Sequence, residues 1–184
     1  DAEIPVAIQE YRKANIPAED LGRHGTHHAK VLGRYVVVRT NDAKASVDDL
    51  KNLEAMPGNR TWARQEYDGE TYLVQKRHPG ASKIQKTSDF DSVHLKNLES
   101  MAAQLASKKK GFASMDPSDI LVSPSGAVQV INPSAVADFK SGKDAVVNSK
   151  VALDALAESL GIPRGPVRDF PSLRNTKTAR AVKK

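Results

Sequence analysis

At 184 residues, with 39% hydrophobic and 27% charged side chains and no cysteine, the chain has room for one domain or one domain plus a tail. It cannot be collagen-like, coiled-coil, wholly disordered, disulfide-stapled or a thiol enzyme. The net charge of +6 lies entirely in the last stretch, since Arg164–Lys184 holds seven basic residues and one acid, which leaves residues 1–163 neutral overall. Apolar runs such as Tyr35–Val38 are strand-sized, far short of the roughly 20 residues that span a bilayer, so a soluble chain is expected.

The chain starts at Asp1 rather than Met, as expected of a trimmed or processed product. Residues 1–20 place Ile8, Tyr11 and Ile16 on a short amphipathic piece between Pro5 and Pro17, expected as an arm or a short helix. His24, His27 and His28 stand close together, but no ligand pattern around them points to a metal. The β-branched run Arg34–Arg39 predicts a strand. Ser46-Val47-Asp48-Asp49 has capping-box spacing and precedes Leu50, Leu53 and Met56, which predicts a helix over 47–56 that stops at Pro57-Gly58. Thr61–Tyr67 and Thr71–Arg77 alternate around Asp68-Gly69, a hairpin signal. Trp62 is expected to pack in the core or against that hairpin.

Leu95, Leu98, Ala102 and Leu105 predict a helix over 89–109, with Gly111 as its left-handed cap. Ile120–Val122 and Val128–Ile131 flank Ser123-Pro124-Ser125-Gly126 and predict a second hairpin. Ser149 is expected to cap a last helix over 149–160. Together these elements predict an α+β domain over 1–163. Two hairpins form the centre of one antiparallel sheet, three helices pack on it, and a flexible basic tail follows over 164–184.

The stretch Gly111–Ser134 carries the most chemistry. Its Pro117-Ser118, Ile120-Leu121-Val122, Gly126 and Val128–Ile131 fall at the spacing of a helix running into a loop H-x-D-x-x-P-x-N-I-L-V, a turn ending in Gly, and a strand ending in D-F-G. In this it resembles the catalytic segment of protein kinases and related small-molecule kinases. The resemblance covers residues 60–135 and implies ATP and magnesium as cofactors. It sets the loop His at Phe112 and the catalytic Asp at Ser114, and it sets the two metal ligands at Asp119 and Asn132. Asn and Asp have thus changed places, leaving one carboxylate and one amide for a magnesium ion, and Asp116 as the remaining candidate base.

Upstream, Thr71–Lys76 is similar to the kinase strand whose final lysine holds nucleotide phosphates, which makes Lys76 the candidate cofactor contact. A solvated lysine at a strand end, beside Arg77 and His78, is the alternative. No G-x-G-x-x-G precedes the hairpin. Pared-down kinase-like domains occur among bacterial effectors, so the resemblance implies a degenerate kinase-like domain, a pseudokinase, that binds a partner protein. Its compartment stays open between cytoplasm and delivery into a host cell. A minimal phosphotransferase using ATP and magnesium is the first alternative. Binding of nucleic acid or an anionic surface through Arg164–Lys184 is the second.

Overall fold

The computed structural model describes residues 3–13, 29–40, 43–58 and 62–162. The tail from Arg164 and the histidines His24, His27 and His28 lie outside the described residues. In chain order the elements are α1 (Glu3–Lys13), β1 (Ala29–Leu32), β2 (Tyr35–Thr40), α2 (Ala43–Ala55), β3 (Ala63–Tyr67), β4 (Glu70–Lys76) and β5 (Ser82–Lys83). They continue with α3 (Ser92–Ala106), β6 (Lys110–Phe112), β7 (Ile120–Val122), β8 (Val128–Val130), β9 (Val136–Asp138) and α4 (Gly142–Ser159). The chain is α+β, with every strand pair antiparallel.

Both hairpins form where the sequence predicts them. The first turns at Asp68-Gly69, with φ of 51° and 78°, the left-handed pair that lets a two-residue turn match the strand twist. The second turns at Gly126, φ 97°. They do not share a sheet, however. The first belongs to a four-stranded sheet ordered β1-β2-β4-β3, the second to a three-stranded sheet ordered β5-β7-β8, and β6 and β9 form a separate two-stranded ladder.

The period of two in the strands explains this arrangement. Along β2, Tyr35 and Val37 join Tyr72 and Val74 of β4 against Ile8 and Tyr11 of α1. Val36 and Val38 join Leu73 on the other face, in a cluster with Leu121 and Ile131 of the second hairpin. A strand buried on both faces reads as a continuous apolar run, and this is why Tyr35–Val38 shows no alternation. The largest cluster joins α3, α4 and the hairpin β7–β8, through Leu95, Leu98, Leu105, Val130, Leu153 and Leu156.

Three helices depart from expectation at their ends, and α3, expected from 89, begins at Ser92 with Asp91 as its cap. Helix α2 begins at Ala43, three residues before the predicted cap Ser46. Helix α3 ends at Ala106; Lys109, not Gly111, takes the left-handed φ of 60°. Gly111 lies in β6, where an added Cβ would meet the Ala145 carbonyl oxygen and Ser149 Oγ, each at 2.8 Å. Helix α4 begins at Gly142, capped by Ser141, whose side chain accepts from the Asp144 N–H. The predicted cap, Ser149, is buried mid-helix and accepts from the Phe112 N–H at 2.9 Å. Close approach of β6 to α4 is what these two small residues serve. The N-terminal piece is a helix, α1, giving four α-helices among the described residues where the sequence firmly signals three.

Candidate functional site

The loop between β6 and β7 holds Ser114, Asp116 and Asp119; Asn132 follows β8. Ser114 and Asp116 are exposed, whereas Asp119 and Asn132 are 4% and 2% exposed. Pro117–Asp119 forms a single 3₁₀ turn capped by Asp116, and Pro133–Ala135 forms another capped by Asn132. Proline at the first position of each presets φ and spares an unpaired N–H.

The two sequence-predicted metal ligands do come together. Asn132 Nδ2 donates to Asp119 Oδ1 at 2.9 Å. The other carboxylate oxygen, Oδ2, accepts the Asp116 N–H at 2.8 Å, and the Ile131 N–H donates to the Asp119 carbonyl at 2.9 Å. Asn132 Oδ1 accepts from the Ser134 N–H at 3.1 Å and from Ser134 Oγ at 2.7 Å. Burial pushes the Asp119 carboxyl above the usual aspartate range, with the Asp116 N–H and the Asn132 amide pulling it partly back.

This donor set does not fit magnesium. A magnesium ion needs oxygens converging at near-octahedral angles. Here Asn132 turns its NH₂ to the carboxylate and its oxygen to Ser134, so the two oxygens of the candidate pair do not converge on one point. What the arrangement does chemically is tie the loop 116–119 to the exit of β8. Among the described residues no group of three or more His, Asp or Glu is placed to hold a metal. Asp116 Oδ1 accepts from the Ser118 N–H at 3.1 Å and from the Ser118 hydroxyl, so the candidate base serves as the cap of its own turn.

Lys76 ends β4 with its side chain exposed, opposite Tyr35 in the register of β2 and β4. Its carbonyl accepts from Gln129 Nε2 at 3.3 Å. Gln129 is the residue that sequence reasoning missed. It is 0% exposed, donates to Gln75 Oε1 at 2.7 Å and accepts the His78 N–H at 3.0 Å, joining β8 to β4 across the two sheets. Its signal was there to read, as a polar residue inside the apolar run Val128–Ile131. Between the sheets the space is filled by Val36, Val38, Trp62, Leu73, Leu121 and Ile131, none more than 2% exposed.

Two cavities open elsewhere. An apolar one of about 460 Å³ lies between α1 and the β1–β2 turn, lined by Val6, Leu32 and Tyr35. A polar one of about 600 Å³ lies by the first turn of α3 and the second hairpin turn, lined by Lys83, Lys86, Asp89, His94 and Ser123. Neither is lined by Lys76, Asp116, Asp119 or Asn132. In the second, His94 Nδ1 lies 3.1 Å from the Asp91 backbone nitrogen and 3.2 Å from Asp91 Oδ1, and Nε2 lies 2.7 Å from the Ser123 carbonyl oxygen, which pins α3 to the hairpin. Among the described residues no helix is long and apolar enough to cross a membrane. No protein-family model matches the chain, and no curated protein matches it.

Proposed function

We propose that the chain is a degenerate kinase-like domain that acts by binding a partner protein rather than by transferring phosphate. One observation carries the second half of this reading: the buried Asp119 spends both carboxylate oxygens on Asn132 Nδ2 and the Asp116 N–H. Phosphoryl transfer works almost entirely through positioned charge and metal, with little other chemistry for the protein to supply, and here the residues that would supply it hold each other. The order of elements supports the kinase-like half. A long helix, α3, leads to a Pro-containing loop, then to the hairpin β7–β8, and Asn132 stands at its exit.

The test is calorimetric titration of ATP, with and without magnesium, into the folded protein and into Lys76→Ala. No magnesium-dependent binding is expected in either. Binding to the wild type that needs magnesium and is lost in Lys76→Ala would overturn the reading and favour the minimal phosphotransferase.

A further inference from the structure

Strand β3 is an outer strand of the four-stranded sheet, and among the described residues it pairs with β4 alone. Ala63, Arg64, Gln65 and Glu66 are exposed and Tyr67 is half-buried. Tyr67 and Glu70 flank the two-residue turn at Asp68-Gly69 and stand opposite each other, which makes them the hydrogen-bonded pair that closes such a hairpin. Hydrogen-bonded and open pairs alternate along an antiparallel ladder. Gln65 and Ala63 therefore also bond to β4, while Arg64 and Glu66 turn their N–H and C=O groups outward. The Glu66 carbonyl accordingly takes a side chain, Gln65 Nε2 at 3.2 Å, in place of a strand. The side chains of Arg64 and Glu66 share one face of β3, 3.6 Å apart and 35% and 71% exposed.

An outer strand of this kind is a template for another strand. Charges of one sign along it would keep a second copy away, but here they are of opposite sign and two residues apart. When two copies of β3 run antiparallel about Gln65, Arg64 of each meets Glu66 of the other, and Ala63 of each meets Tyr67 of the other. That register sets outward-facing backbone against outward-facing backbone, so each Arg64–Glu66 pair exchanges both of its hydrogen bonds. It also places opposite charges directly across from one another in both pairs, which is favourable. Centring the pairing on Arg64 or on Glu66 opposes like charges instead. We infer that β3 is a homodimerisation edge, on which a second copy of this chain adds its own β3 in the Gln65-centred register, joining the two four-stranded sheets into one across a two-fold axis. The contact goes beyond the proposed function and does not rest on it, since nothing in β3 depends on the kinase-like segment. Contacts between such short edges fall at the low end of interface sizes, so a dissociation constant on the order of 0.1 mM is expected.

The test is analytical ultracentrifugation of the full chain from about 10 μM to about 1 mM, a span that brackets this constant, at low salt and with circular dichroism to establish folding. Wild type is expected to pass from monomer to dimer. Arg64→Glu and Glu66→Arg each set like charges across both pairs, and each is expected to weaken self-association at least about tenfold. Both positions are exposed, so the fold is expected to be kept. An equal mixture of the two variants again sets opposite charges across both pairs, as does the double variant Arg64→Glu with Glu66→Arg. Both are expected to dimerise as wild type does. A contact elsewhere, through the basic tail or any other surface, would not follow this pattern of loss and rescue. Wild type that stays monomeric throughout overturns the inference, as do single variants that associate like wild type, or a mixture and a double variant that stay monomeric. Magnesium-dependent ATP binding overturns the proposed function instead and leaves this contact untouched.

Discussion

Tyr11 and Asp119 are both buried acids, and their surroundings treat them differently. The Tyr11 hydroxyl accepts the Arg39 N–H at 3.4 Å, its ring meets Tyr72 edge-on at 5.7 Å, and burial pushes its pKa up to about 12 from an ordinary 10.0. In the unfolded chain the phenol loses its proton near 10, while the folded chain keeps it to about 12, so the folded state binds more protons in that window. Stability is therefore intact below pH 10 and falls as pH rises toward 12, by about 2–3 kcal/mol. Urea unfolding across this range should show the decline, and Tyr11→Phe should flatten it. Asp119 is also shifted upward by burial. For this residue the loss of stability comes as pH rises through its folded pKa, offset by the Asn132 and Asp116 contacts. Asp89, half-buried, and Asp91, exposed, run the other way. Backbone N–H groups at Gln85 and Val93, respectively, lower them, so their contribution is present above 3.8 and lost as pH falls through the folded values.

Helices and strands meet here through small residues and borrowed polar groups. Strand β6 touches α4 because Gly111 has no Cβ to strike the Ala145 carbonyl and because Ser149 takes the Phe112 N–H; Asn148 Nδ2 adds a bond to the Phe112 carbonyl at 2.7 Å. Gly111→Ala should cost about 1–3 kcal/mol. The clash is with backbone, which no rotamer change can relieve. For a chain of this size that lowers the melting temperature by several degrees, at roughly 2–4 °C per kcal/mol. An unchanged melting temperature would mean that β6 does not approach α4 this closely. Helix α1 is held to the first sheet by its apolar face and by a charged network. Arg12 pairs with Asp68 at 2.8 Å, and Arg39 pairs with Glu70 at 2.7 Å. The Tyr72 hydroxyl donates to Glu70 at 3.2 Å. The Arg12–Asp68 pair is largely exposed and contributes little singly, and Arg39–Glu70 lies within the sheet itself, so Ile8 and Tyr11 carry the docking.

Across the whole molecule, the two sheets are joined by one apolar cluster and one buried polar clamp. Gln129→Leu takes an acceptor from the His78 N–H and a donor from Gln75 Oε1, and should cost about 1–3 kcal/mol. Adding Gln75→Leu should recover part of that, because replacing both partners of a buried pair is milder than replacing one. Urea unfolding of the two single variants and the double variant measures the coupling, and strictly additive losses would show that the clamp does not act as a pair. The hairpin at Asp68-Gly69, the β2 strand and the stripe of α3 were legible in the sequence, because each depends on residues within a few positions of one another. Cap positions were less so. Ser46 and Ser149 have the residue type of a cap, but α2 and α4 run back past them to Ala43 and Gly142, since packing extends a helix beyond its nearest local stop. Of the candidate site, the sequence singled out Asp116, Asp119 and Asn132. It could not say that Asn132 would turn its NH₂ to Asp119, because hydrogen-bond direction depends on neighbours brought in by folding, Ser134 and the Asp116 N–H among them. Local chemistry, then, was decided by the sequence alone: the α+β class, both hairpins, the β2 strand, the three main helices and the residues to watch; the short strands β1, β5, β6 and β9 were not legible in it. The placing of the hairpins in separate sheets, the filling of the space between them by Trp62 and the clamp at Gln129 were decided only in three dimensions, because each depends on contacts between residues far apart in the chain.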